Sequence, residues 1–268
     1  MKKRVLVFDS GVGGLSVYSE VKKHNPDIVS FYMFDNQLFP YGNKSEAEII
    51  NRVNKLMTSF VKRYQVDLIV IACNTASTIV LDDLRSNLSI PIVGVVPAIK
   101  PAVKITKNKI VGLLATPATV ARKYTHGLIE DFAKDVKVLS IGTPNLASIA
   151  EKKMSGKDFS INEIAQELKP WLDLSINEQP DTIVLGCTHF PHLRTEIQNL
   201  FPNATLVDSG NAIGIRVNNL LKDSKSIEKT DIDTEQNEAF CTSLVKLDSN
   251  LENTFKKNGF DEILEFKI

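Results

Sequence analysis

The sequence has little of several things, and each shortage excludes a class of protein. Among its 268 residues, Lys plus Arg number 32 and Asp plus Glu number 32, so the formal net charge is zero. No broad cationic surface for nucleic acid or anionic lipid is expected from that balance. Apolar runs such as residues 92–99 fall well short of the ~20 residues that a membrane-spanning helix needs. We therefore expect a globular protein that binds neither nucleic acid nor membrane.

Cysteine is also scarce. The three cysteines, Cys73, Cys187 and Cys241, are too few and odd in number for a disulfide framework, so free thiols are expected. The first apolar run, residues 5–8, is shorter than the roughly 7–15 apolar residues of a secretory signal. We expect the protein to stay in the cytoplasm.

Short β-branched runs alternate with helical patterns along the chain. Strands that are apolar on both faces belong in a parallel sheet covered on two sides, so the fold class is α/β. Two Ser-x-x-Glu capping boxes, Ser45 with Glu48 and Ser160 with Glu163, predict helix starts. The predicted strands are residues 5–8, 28–34, 68–72, 92–96, 110–114, 136–141, 182–186 and 205–207.

An internal echo is the most informative feature. Residues 67–75 and 181–189 share one layout, in which an Asp, a buried strand and a small residue lead to Cys73 or Cys187 and then to two polar or small groups. Each strand thus delivers a thiol at its carboxyl end, where a helix begins. Ligands bind at that edge of open α/β sheets. Two halves with equivalent chemistry are implied.

Each thiol has a structural and a functional interpretation. A buried cysteine is usually an unreactive core residue. A thiol beside a helix N-terminus, however, can have its pKa lowered from about 8.5. Because the arrangement occurs twice, a functional role is favoured for Cys73 and Cys187, whereas Cys241 has neither context and is expected to be packing.

Other polar features leave alternatives open. Residues 9–14 (Asp-Ser-Gly-Val-Gly-Gly) follow the first strand and are either a tight turn or an anion-binding loop. His189 and His192 follow Cys187, but only three zinc ligands are present locally, so an acid–base role for His189 is favoured over a metal site. His192 is expected to be solvent-exposed, and no metal is expected.

Five motifs in register resemble the glutamate racemase family. They are residues 9–14, residues 40–42 (Pro-Tyr-Gly), residues 72–77 (Ala-Cys-Asn-Thr-Ala-Ser), residues 116–120 (Thr-Pro-Ala-Thr-Val) and residues 186–191 (Gly-Cys-Thr-His-Phe-Pro). The resemblance implies a cofactor-independent racemase of two pseudo-symmetric, doubly wound α/β domains. Glutamate would lie in the cleft between them, and the product D-glutamate is a building block of bacterial peptidoglycan. A homodimer is suggested by the same resemblance.

The resemblance also implies roles for individual residues. Cys73 and Cys187 would exchange the roles of thiolate base and thiol acid, since inversion needs a proton removed from one face of Cα and returned to the other. Asp9 would assist Cys73, and His189 and Glu151 would assist Cys187; Glu151 also has the simpler reading of a solvated helix carboxylate. The implied substrate contacts are Asp9, Ser10, Tyr41, Gly42, Asn74, Thr75, Thr116, Thr119, Thr188 and His189.

The expected domain boundaries accompany the resemblance, and the hinges are suggested by residues 97–101 (Pro-Ala-Ile-Lys-Pro) and 208–210 (Asp-Ser-Gly). Residues 1–97 with 208–268 form the first domain and residues 98–207 the second, with hinges near Pro97 and Asp208. Residues 223–238 are expected to be an exposed polar connector. A strand near residues 239–245, a helix ending near Gly259 and a strand at residues 262–266 are expected to add an edge to the first sheet.

Three rival functions remain from the residues alone. A related racemase acting on aspartate or a hydantoin would carry the same catalytic pair. A Cys-His hydrolase would use Cys187 as nucleophile and His189 as base, and would make Cys73 dispensable. A binding module for small acids would give no reason for two equivalent thiols.

Overall fold

The predicted strands and the α/β class are confirmed by the computed structural model, which describes residues 2–223 and 236–268. Its strands are β1 (Arg4–Asp9), β2 (Val29–Phe34), β3 (Leu68–Ile71), β4 (Ile92–Gly94), β5 (Ile110–Ala115), β6 (Lys137–Gly142), β7 (Thr182–Leu185), β8 (Thr205–Val207), β9 (Glu238–Cys241) and β10 (Ile263–Glu265). Its α-helices are α1 (Leu15–His24), α2 (Glu46–Tyr64), α3 (Asn74–Asn87), α4 (Ile99–Ile105), α5 (Pro117–Ala121), α6 (Lys123–Phe132), α7 (Leu146–Met154), α8 (Ile161–Leu172), α9 (Arg194–Leu200), α10 (Gly210–Asp223) and α11 (Leu251–Lys257). Two short 3-10 helices cover Tyr41–Asn43 and Phe190–Leu193.

The first sheet has the strand order β10-β9-β2-β1-β3-β4, and its described pairings are all parallel. Every residue of β1, β2 and β3 is buried. Val5 and Val7 pack with α1 and α10 on one face, and Leu6 and Phe8 pack with α2 and α3 on the other. Helices on both faces explain why these strands are apolar without alternation.

The second sheet repeats the first. Its order, β6-β5-β7-β8, matches β2-β1-β3-β4, and its pairings are parallel too. The Phe8 carbonyl accepts from the N–H of Ala72 at 2.7 Å, and the Leu114 carbonyl accepts from the N–H of Gly186 at 2.7 Å. The next residue along the chain is a cysteine in both sheets. The internal echo in the sequence therefore corresponds to equivalent positions in the two sheets.

The aspartates that open the two echoed segments have a structural role. Asp67 accepts the backbone N–H of Arg4 at 2.7 Å, just where β1 begins. Asp181 accepts the N–H groups of Lys107 and Asn108, both at 2.7 Å, just before β5. Asp67 thus links the beginning of β3 to the beginning of β1, and Asp181 links the beginning of β7 to the beginning of β5. Both links lie at the amino ends of the strands, opposite the cysteines.

The two predicted capping boxes are borne out to different extents. The Ser45 hydroxyl accepts from the N–H of Glu48 at 3.3 Å at the start of α2, as predicted. Ser160 does cap α8, but its hydroxyl accepts from the N–H of Asn162 at 3.2 Å rather than from that of Glu163. Either donor satisfies one of the otherwise unpaired N–H groups of a first helical turn.

The carboxyl-terminal segment adds β9 and β10 to the edge of the first sheet beside β2, with α11 between them. Most of the polar segment 223–238 lies outside the described residues. Within the described ranges, no helix has both the length and the apolar character needed to cross a membrane. The division of the chain into domains at residues 97 and 208 stays a prediction.

Candidate active site

The candidate site lies where the carboxyl ends of strands from both sheets meet. β1 ends at Asp9, and Cys73 follows β3; Thr116 follows β5, and Cys187 follows β7. The Thr188 hydroxyl donates to Asp9 Oδ2 at 2.9 Å, which joins the two sheets directly. The structure therefore brings the predicted residues of the two halves into contact.

The glycine-rich turn after β1 packs against residues of the second half. A Cβ atom on Gly13 would lie 2.5 Å from Nδ1 of His189, and one on Gly11 would lie 2.4 Å from Oε1 of Glu151. A Cβ at either position would therefore force the neighbouring side chain to move. The glycines of residues 9–14 allow this turn to approach the candidate catalytic groups closely, and its role as an anion-binding loop stays a prediction.

Cys73 lies in a buried, acidic environment. Its thiol is 6% exposed, accepts from the N–H of Ala76 at 3.5 Å and lies 3.7 Å from the Ser10 hydroxyl. Burial, followed by the negative charge of Asp9, raises the pKa of Cys73, and the two hydrogen bonds offset this only in part. The expectation that the helix N-terminus lowers this pKa is wrong, because desolvation of the thiolate outweighs one N–H donor. Cys73 is a neutral thiol at pH 7.

Cys187 lies beside a histidine instead. Its Sγ is 3.7 Å from Nδ1 of His189, whose Nε2 donates to Oε1 of Glu151 at 2.9 Å. The same Glu151 oxygen accepts the N–H of Val12 at 2.9 Å. Burial lowers the pKa of His189, but hydrogen bonds to Cys187 and Glu151 outweigh it and raise that pKa well above 6.5. The result is a sulfur, imidazolium and carboxylate in one chain.

Asp9 is a fully buried carboxyl that touches both halves. It accepts the N–H of Gly11 at 2.9 Å and the Ser10 hydroxyl at 3.4 Å, besides the bond from Thr188. Burial raises the pKa of Asp9, and the charge of His189 and the hydrogen bonds reduce the shift without cancelling it. A buried carboxyl with a raised pKa beside a thiol is typical of functional sites.

Polar groups suited to an amino acid line the same region. The hydroxyls of Thr75, Thr116 and Thr119 lie within 2.9–3.3 Å of one another and offer O–H donors to a carboxylate. Oδ1 of Asn74 is buried without a hydrogen-bond partner. An unpaired buried acceptor costs about 1–3 kcal/mol, a cost that a substrate ammonium would relieve.

Tyr41 and Gly42 are present at the site, but the tyrosine hydroxyl is already used. It donates to Oδ2 of Asp35 at 2.8 Å, and burial followed by the charge of Asp35 raises the pKa of Tyr41 well above 10. A Cβ on Gly42 would lie 3.4 Å from Cβ of Thr116, so this residue borders the threonine cluster. The proton of the Tyr41 hydroxyl is therefore not free for a substrate, although its oxygen can still accept a hydrogen bond.

His192 is not exposed as expected. It is half-buried, and its Nε2 donates to the carbonyl of Gly13 at 3.0 Å. Burial lowers the pKa of His192 to about 4, so the ring is neutral at pH 7. The physical reason is that the turn after β7 packs on the glycine-rich turn. Among the residues that the structure describes, no group of three or more His, Cys, Asp or Glu could hold a metal ion.

Two residues next to the site were missed in the sequence. Asp35 directly follows β2, and Arg52 of α2 donates to both of its carboxylate oxygens. Both had a signal: Asp35 is a polar residue at the end of a buried strand, as Asp9 is, and Arg52 lies on the apolar face of α2 between Ile49 and Leu56. A charge on an apolar helix face requires a buried partner.

The cavity next to the Cys187 thiol is small. It has a volume of about 10 Å³, and Asn74, Thr188 and Ser209 are among its walls. A space of that size holds about one water molecule. An amino acid does not fit in this cavity, and neither Cys73 nor the three clustered threonines belong to its walls.

Comparisons with known proteins agree with this geometry. Residues 14–214 match the model of the Asp/Glu/hydantoin racemase family. A glutamate racemase of Pectobacterium carotovorum is 48% identical over 97% of this chain and 90% of its own. The crystal structure of Escherichia coli glutamate racemase with L-glutamate and the activator UDP-MurNAc-Ala has a TM-score of 0.93 and 45% identity, covering 99% of this chain and 98% of that one. The Francisella tularensis glutamate racemase with D-glutamate has a TM-score of 0.78 and 25% identity, covering 99% and 98%.

Two parallel α/β sheets of this order, together with these relatives, define the fold of an amino-acid racemase. The chain belongs to the Asp/Glu/hydantoin racemase family.

Proposed function

We propose that this protein interconverts L-glutamate and D-glutamate, with Cys73 and Cys187 as the acid–base pair. The observation that carries the proposal is the placement of the two thiols at equivalent positions after β3 and β7, together with relatives named glutamate racemase at 48% identity. The protein would supply D-glutamate for peptidoglycan from the cytoplasm, as a homodimer.

The two halves place different groups beside their thiols. A protonated His189 lies 3.7 Å from the Cys187 sulfur, whereas burial raises the pKa of Cys73 and keeps it a thiol. In the proposed reaction Cys187 acts as the base and Cys73 as the acid. The Cys187 thiolate takes the α-proton as an S–H bond forms, and the electron pair of the broken C–H bond stays on Cα. Cys73 then gives its proton to the opposite face and becomes the thiolate. The product differs from the substrate only in configuration.

The reverse direction uses the same groups in exchanged roles. The Ser10 hydroxyl lies 3.7 Å from the Cys73 sulfur and 3.4 Å from Asp9 Oδ1, so it offers a route for a proton between the two. His189, 3.7 Å from the Cys187 sulfur, offers Cys187 a comparable partner for proton exchange. Each thiol thus has a neighbouring group that restores its protonation after turnover.

The α-proton of an amino acid is weakly acidic, so the carbanion needs stabilisation. Each ~1.36 kcal/mol removed from the barrier gives about tenfold in rate. The hydroxyls of Thr75, Thr116 and Thr119 are donors held in place before the reaction, and they would bind a substrate carboxylate. Asn74 would accept from the ammonium. Keeping that ammonium positive lowers the energy of the carbanion beside it.

Substrate entry would involve a change in how the two halves approach each other. Contacts such as that of the Thr188 hydroxyl with Asp9 join the two halves directly beside the thiols. Hinges near Pro97 and Asp208 would permit this motion. Solution scattering should give a different radius of gyration with glutamate than without it, and identical dimensions would contradict the hinge.

One other function has an observation in its favour. Cys187, His189 and Glu151 form a chain that also suits a nucleophilic thiol with a base and an orienting carboxylate. A hydrolase of that kind has no use for Cys73, however. Aspartate or a hydantoin remain alternative substrates within the family.

The test is incubation of each glutamate enantiomer with the protein in deuterated water. The circular dichroism signals of L-glutamate and D-glutamate, which have opposite signs, should both decay to zero. Mass spectrometry should find one deuteron at Cα. Aspartate and a hydantoin serve as substrate controls. Retained optical signal with both glutamate enantiomers would overturn the proposal, and turnover of aspartate instead would reassign the substrate.

A further inference from the structure

A buried carboxylate outside the proposed catalytic set organises the loop between β2 and α2. Asp35 has no exposed surface, directly follows β2 and takes part in none of the proposed proton transfers. Burying a carboxylate costs free energy unless it is paired and hydrogen-bonded, so the partners of Asp35 must compensate for that cost.

Its carboxylate is held by donors from three parts of the chain. Arg52 of α2 donates from Nε to Oδ2 at 2.9 Å and from Nη2 to Oδ1 at 2.8 Å. The Tyr41 hydroxyl donates to Oδ2 at 2.8 Å, and the Thr242 hydroxyl, just after β9, donates to Oδ1 at 2.6 Å. Charge-assisted bonds of this kind, bidentate from arginine, are among the strongest in proteins.

The backbone of Asp35 is tied into the site as well. Its N–H donates to the carbonyl of Asp9 at 3.0 Å, and its carbonyl accepts from the N–H of Phe39 at 3.1 Å. The Phe39 ring centre lies 5.5 Å from that of His189. The loop anchored by Asp35 therefore reaches the Cys187 half through Phe39 and borders Thr116 through Gly42.

The second sheet shows that the strand end itself does not require an ion pair. Thr143 occupies the equivalent position after β6, where its N–H donates to the carbonyl of Ala115 at 2.9 Å. Its hydroxyl donates to Glu167, and no arginine is involved. The pair of Asp35 and Arg52 is thus an addition made only where a loop carries residues of the substrate site.

We infer that Asp35 and Arg52 are a positioning pair that holds Tyr41 and Gly42 in place for the substrate, with Thr242 as the contribution of the carboxyl-terminal segment. The inference rests on the proposed racemase function. The pair acts through Tyr41 and the loop backbone, and touches no reacting atom.

The test compares Arg52→Gln, Tyr41→Phe and the control Lys55→Gln on the same helix, where Lys55 is exposed. Arg52→Gln should raise KM for both glutamate enantiomers by about tenfold, since a loop displaced by a fraction of an ångström loses contacts that orient the substrate. Tyr41→Phe should shift KM in the same direction by a smaller factor. Arg52→Lys keeps the charge but not the two parallel N–H donors of the guanidinium, so its KM should lie between those of Arg52→Gln and wild type. The KM of Lys55→Gln should match that of wild type.

Thermal melting of each variant separates positioning from folding. A purely structural pair would lower the melting temperature while leaving KM and kcat of the folded protein unchanged, and that result overturns the inference. If Arg52→Gln does not fold, the KM of Tyr41→Phe decides: an unchanged value overturns the inference as well. A wild-type protein that racemises neither enantiomer defeats the proposed function, and this inference with it.

Discussion

The two cysteines occupy equivalent positions in sheets of the same strand order, yet their neighbours carry opposite charge. Cys73 lies near the carboxyl of Asp9, with the Ser10 hydroxyl between them. Cys187 lies beside the imidazolium of His189, which Glu151 supports from the far side. Backbone geometry is therefore repeated in the two halves, whereas electrostatics is not.

The difference has a consequence for a reaction that must run both ways. An acid–base pair needs one thiolate and one thiol at a time. The burial and acidic surroundings of Cys73 favour its thiol. Beside Cys187 lies the imidazolium of His189 instead, at 3.7 Å. On the proposed mechanism, this asymmetry would let the two thiols take different roles in one turnover, with Asp9 and His189 as their proton partners.

The largest expected effect comes from removing either thiol. Cys73→Ser and Cys187→Ser should each lower racemisation by at least about 10³-fold in both directions, because inversion needs a group on each face of Cα. Circular dichroism of L- and D-glutamate measures this, and Cys241→Ser is the matched control. Elimination from an activated glutamate analogue should survive in each variant for one enantiomer only. Near-normal turnover by either variant contradicts the two-thiol assignment.

A smaller effect is expected from substituting Glu151, the carboxylate that accepts a hydrogen bond from His189. Glu151→Gln should lower kcat/KM about 10- to 100-fold, since the neutral amide no longer stabilises the imidazolium. Because Glu151 helps to raise the pKa of His189, its loss lowers that pKa, and the imidazolium is lost at lower pH. The alkaline fall of kcat/KM should therefore move to lower pH.

The matched control for this variant is Glu163→Gln on α8, where the carboxylate is largely exposed and pairs with Lys152. That variant should keep the wild-type pH profile. An unshifted profile in Glu151→Gln would mean that His189 does not depend on this carboxylate, and that the two halves differ less than the structure indicates.

Two glycine-to-alanine substitutions, one in the tight turn and one in an open helix position, should change the stability of the protein in opposite directions. Gly13→Ala places a methyl group 2.5 Å from Nδ1 of His189, so it should destabilise the protein by about 3 kcal/mol and disturb the Cys187 side. Gly127→Ala in α6 meets no atom within 4 Å and should stabilise by up to about 1 kcal/mol. Urea unfolding measures both, and equal stability of the two variants would contradict the close packing of the turn.

The smallest effect concerns His192, whose pKa is about 4 in the folded protein and about 6.5 unfolded. A depressed pKa contributes stability above pH 6.5 that is lost as pH falls toward 4. Wild type should therefore lose about 2 kcal/mol relative to His192→Gln between pH 7 and pH 5, to order of magnitude. Urea unfolding at the two pH values gives this difference. A pH-independent difference would show that His192 is not buried as described.

Much of the fold could be predicted because buried parallel strands are apolar on both faces. That pattern located the strands of both sheets to within a few residues and placed Cys73 and Cys187 after matching strands. Local signals were less reliable where two donors compete, as at Ser160, whose hydroxyl accepts from Asn162 instead of Glu163.

The site was less predictable, since its properties arise from residues far apart in the chain. The neighbourhood of Cys73 includes a carboxyl more than sixty positions earlier, which reverses the pKa shift expected from the helix N-terminus alone. Likewise, Arg52 is recognisable as a charge on an apolar helix face, but only folding shows that Asp35 is its partner.

The amino-acid order by itself determined which strands form, where each thiol stands relative to its strand, and that the two halves repeat. Those features depend on side-chain periodicity over a few neighbouring residues. Tertiary structure alone decided the charge beside each sulfur, the burial of His192 and the contact of the glycine turn with His189 and Glu151. Such properties depend on distances of a few ångströms between segments that meet only after the sheets have packed, because Coulomb and desolvation energies change steeply over that range.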